Sequence, residues 1–292
     1  MRIAFLGFGL IAGSIARAVR ASAGVSTWTT AAWSPSGEGP AQAQAEGIID
    51  LAAASAAEAL RDSDLVVLAA PVPACLAMMG ELAAGLGAAL PPSAVVTDVA
   101  STKSMLLDRA NELGLRYVGG HPMAGLDSAG YASGRADLFV DRPWVIVAGA
   151  SAEAGDVERV ETLVRACGAR TVRMEADDHD RAVAGVSHLP LLLAAALVEA
   201  VAGSAPGPAS ADWASASALA ASGWRDMTRL ARGDPAMGAG IAVTNAAAIA
   251  PRLRDLRAVL ERWQSELERT GGPDETAIED RLRAVKGRLE DS

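Results

Sequence analysis

The chain is poor in the residues that usually advertise chemistry. Its 292 residues include two cysteines and three histidines. Cys75 and Cys167 lie far apart in apolar, helix-like surroundings and lack metal-ligand spacing. Neither a disulfide framework nor a metal site is therefore expected, and a reducing, cytoplasmic setting fits. Aromatic residues are only 4%, and much of the 51% apolar content is alanine. That composition favours closely packed helices over an aromatic-rich β-sandwich. Positive charge is also short, with 26 Lys and Arg against 35 Asp and Glu, for a net charge of −9. Phosphate backbones need a clustered basic surface, so nucleic acid is not an expected partner. No signal peptide is expected, because glycines interrupt the apolar residues 3–6 at once and Arg17 follows. The most apolar run, residues 182–198, contains His188 and Pro190 and sits near the lower length limit for a membrane span. It is expected to be a buried core helix, with no membrane involved.

What is present is a regular alternation. "RIAFLG", "VSTWTTAAWS", "DLVVLAAP", "AVVTDVA", "RYVGGH", "PWVIVAG" and "ARTVRME" read as short strands, separated by helical stretches such as 74–89 and 103–113. Strand alternating with helix predicts a doubly wound, mostly parallel α/β sheet of the Rossmann type. Strand signals then stop. Leu253, Leu256, Leu260, Trp263 and Leu267 fall at steps of three and four, one stripe of a long helix. Two domains are expected: a dinucleotide-binding domain at 1–176 and an all-α domain at 177–292.

"GFGLIAGS" follows the first strand and opens the first helix. Gly7 allows the tight turn, Gly9 lets the backbone approach a pyrophosphate, and Ala12 or Gly13 allows close helix packing. Phe8, Leu10 and Ile11 complete the loop. Pro71 and Asp98, at the ends of two further strands, are expected at the same cofactor edge. About 20 residues past the loop, an acid would hold the ribose hydroxyl of NAD. Instead the sequence reads Trp33, Ser34, Pro35, Ser36. Ser34 and Ser36 could meet a 2′-phosphate, but no arginine is near; NADP is favoured slightly over NAD.

His121 stands in "VGGHPMAGLDSAG", read as a glycine-rich loop after a strand, where it could serve as a base. "DVASTK" supplies Ser101 and Lys103, and "GWRDMTRLARGDP" supplies Arg225 and Arg229. Plainer readings exist for each. Ser101 could cap the following helix, Lys103 could be solvated, and Arg225 could pair with Asp226. His188 reads as a structural hydrogen-bonder and His179, in "DDHD", as a surface residue.

Together "GFGLIAGS", "TDVASTK", "GGHPMAG", "VSHLP" and "GWRDMTRLA…DP", in this order over residues 1 to about 250, resemble the prephenate/arogenate dehydrogenases of tyrosine biosynthesis. The resemblance implies oxidative decarboxylation of prephenate and/or arogenate with hydride transfer to NAD or NADP, by a homodimer built on the helical domain. It implies His121 as catalytic base, Ser101 as its partner on the substrate hydroxyl, and Arg229, with Arg225 behind it, as carboxylate binder. The pattern departs at Leu191, where many prephenate-specific members carry a second histidine. Asp127 could attract the ammonium of arogenate. An enzyme acting on 4-amino-4-deoxyprephenate and a catalytically silent nucleotide-binding regulator are the alternatives; joint retention of Ser101, His121 and Arg229 argues against the regulator.

Overall fold

The computed structural model describes residues 1–25, 27–126, 128–204 and 207–290. Strands and helices alternate through its first part: β1 (Arg2–Leu6), α1 (Leu10–Ala21), β2 (Thr29–Trp33), α2 (Glu38–Ala45), β3 (Leu51–Ala52), α3 (Ala56–Leu60), β4 (Leu65–Leu68), α4 (Val72–Ala83), β5 (Val95–Asp98) and α5 (Ser104–Glu112). The five strands form a parallel sheet in the order β3-β2-β1-β4-β5. Every residue of β4 and β5 is buried, as helices on both faces require. Strand order reverses at β1, so the crevice beyond the C-terminal ends of β1 and β4 is the switch point at which such sheets bind ligands.

A second, three-stranded sheet follows: β6 (Val118–Pro122), β7 (Pro143–Ala148) and, after α6 (Ala154–Ala166), β8 (Arg170–Arg173). β6 runs antiparallel to β7, and β7 parallel to β8. A parallel bridge between Val96 and Tyr117 joins the start of β6 to β5. One expectation needs correction here. His121 lies inside β6, paired with Val145 of β7, and not in a loop after a strand. Its glycines serve close packing. A Cβ on Gly120 would lie 2.7 Å from the Asp98 carbonyl oxygen and 2.9 Å from Nε1 of Trp144. One on Gly119 would lie 2.9 Å from the Tyr117 hydroxyl.

The helical part holds α7 (Ala176–Val183), a π-helical turn (Ala184–His188), α8 (Leu189–Ala202), α9 (Trp213–Ala218), α10 (Ser222–Thr228), α11 (Pro235–Thr244), α12 (Ala246–Leu267) and α13 (Glu275–Glu290). Pro190 cannot donate to the helix, and the wider π-turn just before it absorbs the mismatch. Residues 1–246 form one compact unit and 247–292 another. Within the second, Arg281 lies over the Trp263 ring, 3.8 Å from its centroid.

The expectation of a buried core helix at 182–198 is also corrected. The helix runs from Ala176 to Ala202, and only 22% of its most apolar window is buried. In α8 Ala194 alone is fully covered, because the leucines and valines of this part outnumber what the surrounding chain can shield. Apolar surface of this extent is a mark of an interaction face.

Candidate active site

The glycine loop meets the demands of a dinucleotide. Gly7 turns the chain off β1 with φ +87°, and a Cβ there would lie 2.6 Å from the Ala69 carbonyl oxygen, so only glycine fits. At Gly9 a Cβ would meet no described atom within 4 Å, which leaves open space against the backbone. The first turn of α1 carries no acid and no side-chain cap, and its N–H groups are available to an anion. Leu10 and Ile11 are half-buried in that turn, and Ala12 is buried. The third small position packs on a ring: a Cβ on Gly13 would lie 2.7 Å from Cδ2 of Tyr131. Phe8 points inward, edge-on to Phe5 at 5.6 Å and stacked on Tyr131 at 5.5 Å, so its backbone alone faces the open side. At the end of β2, Ser34 is half-buried, and the exposed Ser36 accepts from the Glu38 N–H at 3.4 Å. Pro71 is exposed and opens α4. These residues fit a dinucleotide laid across the ends of β1, β2 and β4.

Asp98 ends β5 at that edge, but its side chain turns inward. Its side chain is fully buried, and both oxygens are occupied. Oδ1 accepts from Nζ of Lys103 and from the Ala100 N–H at 2.7 Å. Oδ2 accepts from the Tyr117 hydroxyl and from the Gly120 N–H at 3.3 Å. Lys103, readable from sequence as solvated, is likewise 0% exposed. An unpaired charge there would be costly, and the pair with Asp98 removes that cost. Burial and the adjacent Asp98 push the Tyr117 phenol well above its usual range, so it remains a donor. Asp98 thus bolts β5 to β6 directly behind His121.

His121 is buried at 7% exposure, and its Nδ1 lies 2.8 Å from Nε2 of His179. His179 is no surface residue. It is 1% exposed, with its Nδ1 2.8 Å from Oδ1 of Asp180. Asp180 also accepts from the N–H groups of Lys103 at 2.8 Å and Ser104 at 2.9 Å, the free donors at the start of α5. It is the cap that Ser101 was expected to supply, placed where a carboxylate is favoured. Burial pushes the Asp180 carboxyl up, but the bonds from His179, Ser104 and Lys103 outweigh it and hold it below the usual carboxylate range.

These contacts assign protons. A carboxylate only accepts, so Nδ1 of His179 donates to it, and with the ring's single proton placed there Nε2 accepts. The proton it accepts comes from Nδ1 of His121, which leaves the lone pair of His121 on Nε2. Burial first, then the charge of Lys103, holds the His121 imidazole well below its usual range, against the pull of Asp180. The ring is a neutral acceptor.

Ser101 is half-buried, and its hydroxyl has no hydrogen-bond partner among the described residues. Arg225 on α10 is exposed; Arg229 opens the turn Arg229–Arg232, which packs on α8. Leu191 points at α11, with Cδ2 3.7 Å from where a Cβ on Gly238 would lie. Asp127 lies outside the described residues. Three participants escaped the sequence reading: Asp180, Tyr117 and Asn245, the last 3.0 Å from Nδ1 of His188. A signal for Asp180 existed. Ala176, His179, Asp180 and Val183 follow the i, i+3, i+4, i+7 pattern of one buried face.

Two family models match the chain. That for "Prephenate dehydrogenase, nucleotide-binding domain" matches residues 15–173, and that for "Prephenate dehydrogenase, dimerization domain" matches 175–278. The sequence is 30% identical over 276 residues to a prephenate dehydrogenase of Bacillus subtilis (strain 168), over 91% of this chain and 68% of that protein. It is 29% identical over 272 residues to a cyclohexadienyl dehydrogenase of Zymomonas mobilis, over 92% of this chain and 89% of that protein. The crystal structure of prephenate dehydrogenase from A. aeolicus in complex with hydroxyphenyl propionate and NAD+ aligns with a TM-score of 0.85 at 25% identity, over 100% of this chain and 98% of that one.

Proposed function

This chain belongs to the prephenate dehydrogenase family, and from that premise we propose that it oxidises and decarboxylates prephenate, arogenate or both, with His121 as the base. The observation that carries the proposal is the Asp180–His179–His121 chain, which leaves Nε2 of His121 unprotonated and facing away from its partner.

The substrates are cyclohexadienols with a ring carboxylate on the carbon opposite the hydroxyl. Nε2 of His121 takes the hydroxyl proton, and the O–H electrons form the carbonyl as hydride leaves the same carbon. A nicotinamide cofactor, when bound, accepts that hydride. The bond to the ring carboxylate then breaks, its electrons restore the aromatic ring as CO₂ departs, and the ring oxygen recovers the proton from His121. Ser101 hydrogen-bonds the same hydroxyl and orients it. Arg229 takes a substrate carboxylate, where a planar guanidinium can bind in a bidentate way. A positioned base of this kind contributes roughly 10²- to 10⁴-fold in rate.

The remaining assignments are part of the same proposal. The boundary between nucleotide-binding and helical parts falls at 176/177. The under-covered helix 176–202 and the match to a dimerization domain support a homodimer built on the helical part. Hydroxyls without a carboxylate at the end of β2 support NADP ahead of NAD. Leu191 in place of a donor, together with the charge of Asp127, supports arogenate as a substrate beside prephenate. The test is initial rates with prephenate and with arogenate, each with NAD and with NADP, followed by nicotinamide absorbance. Reduction in at least one combination is expected, and none in all four overturns the proposal.

A further inference from the structure

The connection from β6, the strand of His121, to β7 crosses to the glycine loop before it returns. Its short turn Tyr131–Ser133 carries a tyrosine that is only 4% exposed. The Tyr131 ring stacks on Phe8 at 5.5 Å, with the two planes 23° apart. A Cβ on Gly13 of α1 would lie 2.7 Å from Cδ2 of that ring, and one on Gly39 of α2 would lie 3.3 Å from the Tyr131 Cβ. Glycine at both positions makes room for the tyrosine. Its hydroxyl donates at 2.7 Å to Oε2 of Glu46, the residue that closes α2, and the same oxygen accepts from Arg17 of α1 at 2.9 Å. The Arg17 guanidinium also lies over the ring, 4.5 Å from its centroid. One side chain thus touches the loop, the helix that follows it and the helix that follows β2.

The backbone beyond Tyr131 is fastened to the same place. The Arg135 N–H donates at 3.0 Å to the buried Ser14 hydroxyl, and a Cβ on Gly134 would lie 3.3 Å from the Ser14 nitrogen. The loop needs such support. Glycine adds conformational freedom, and between Gly7 and Gly9 only Phe8 has a side chain with which to hold the turn. A stacked aromatic pair contributes beyond the area it buries. The start of α1 and the end of β2 are where the pyrophosphate and the adenosine ribose of a dinucleotide fall, and Tyr131 sits between the two helices that begin there.

We propose that Tyr131 is a positioning residue for the dinucleotide: wedged between α1 and α2 and stacked on Phe8, it sets the gap across which the pyrophosphate and the adenosine ribose are held. It acts through Phe8 and the start of α1, from behind the face that a cofactor takes. The inference rests on the reading of "GFGLIAGS" as the dinucleotide loop and is independent of which substrate the chain oxidises.

The test is binding to the full chain by titration calorimetry, with NAD, NADP and ADP as probes. ADP carries the diphosphate and the adenosine ribose but no nicotinamide. Tyr131→Leu keeps an apolar side chain and loses the stack. It should weaken whichever dinucleotide the unaltered protein binds by roughly tenfold, because the ligand must then order the loop and that cost is taken from affinity. ADP should weaken by the same factor. Tyr131→Phe keeps the ring and should stay within about threefold of the unaltered protein. In steady-state assays Tyr131→Leu should raise the KM for cofactor, with kcat and the KM for prephenate or arogenate held within about twofold. Should Tyr131→Leu not fold, Phe8→Leu removes the same stack from the other side and carries the binding arm. Unchanged affinities accompanied only by a lower Tm overturn the inference. So does a weakened dinucleotide with ADP unaffected, which would put the effect at the nicotinamide end, and so does a Tyr131→Phe as weak as Tyr131→Leu, which would assign it to the hydroxyl. An unaltered protein that binds none of the three probes overturns the nucleotide reading and this inference with it. One that binds them but reduces no cofactor overturns the proposed reaction alone, and the binding arm still decides the role of Tyr131.

Discussion

Nε2 of His179 lies 2.8 Å from Nδ1 of His121, with the two rings 79° apart, edge to face. This one contact sets which nitrogen of His121 can act. Because Asp180 fixes the first ring, the second presents a lone pair and no proton at Nε2. An acceptor nitrogen is thus prepared without a carboxylate touching it.

Replacing His121 with Asn removes the acceptor but keeps a polar side chain of similar reach. Turnover should fall roughly 10²- to 10⁴-fold, with cofactor affinity unchanged. Activity within about threefold of the unaltered protein would place the base elsewhere.

His179→Phe keeps a ring but leaves the Nδ1–H of His121 with no acceptor. A buried donor stranded in this way costs about 1–3 kcal/mol. The expected result is a drop in kcat together with a lower Tm, while KM for cofactor stays put. Unaltered kcat would show that the His121 proton needs no partner to be placed.

The acid limb of kcat/KM reports His121 in the free enzyme. Burial and the charge of Lys103 hold its pKa below the ordinary 6.5. The neutral, active form therefore persists as pH falls through that value, and the limb should lie below pH 6.5. Lys103→Met removes a neighbouring positive charge and should move the limb upward. It also strands the Asp98 carboxylate, at a cost of about 3–5 kcal/mol, and the double variant with Asp98→Asn should recover part of that loss. A limb that stays fixed in Lys103→Met, where Asp98 keeps its carboxylate, would mean that Lys103 does not act on His121.

Folding lowers the pKa of His188 from 6.5 to about 4, because burial disfavours the charged ring. The unfolded chain therefore binds the proton first. Stability is full above pH 6.5, declines as pH falls toward 4, and for this group levels off below that. The shift corresponds to about 3 kcal/mol. His188→Asn should flatten the pH dependence of the unfolding free energy in that window; identical slopes would indicate a solvated ring.

Gly120→Ala places a methyl 2.7 Å from the Asp98 carbonyl oxygen. Backbone cannot step aside as a flexible side chain can, and overpacking of this kind costs about 1–3 kcal/mol. A marked fall in Tm and in activity is expected. A variant as stable and active as the parent would mean that β6 is not clamped to β5.

The sheet and the turn at Gly7 were legible because each announces itself within a few residues. β1 runs straight into Gly7 and Gly9, and β4 is a continuous apolar run. The supporting groups were not, because their meaning is made in three dimensions. Lys103 looks solvated until Asp98, five residues earlier, folds back over it. His179 sits among acids and reads as surface until α7 is phased by Val183. The apolar helix 176–202 reads as core because periodicity registers hydrophobicity and not which molecule covers it.

Asp180 caps α5 and also holds His179. Asp98 serves four donors, and Asn245 serves two acceptors. Groups with several obligations cannot be exchanged one at a time without breaking another contact. The exposed or half-buried Ser34, Ser36, Leu126 and Arg225 carry no such debts to the interior. Single changes at the rim can therefore be made one at a time, whereas any change at the His121 end breaks several contacts at once.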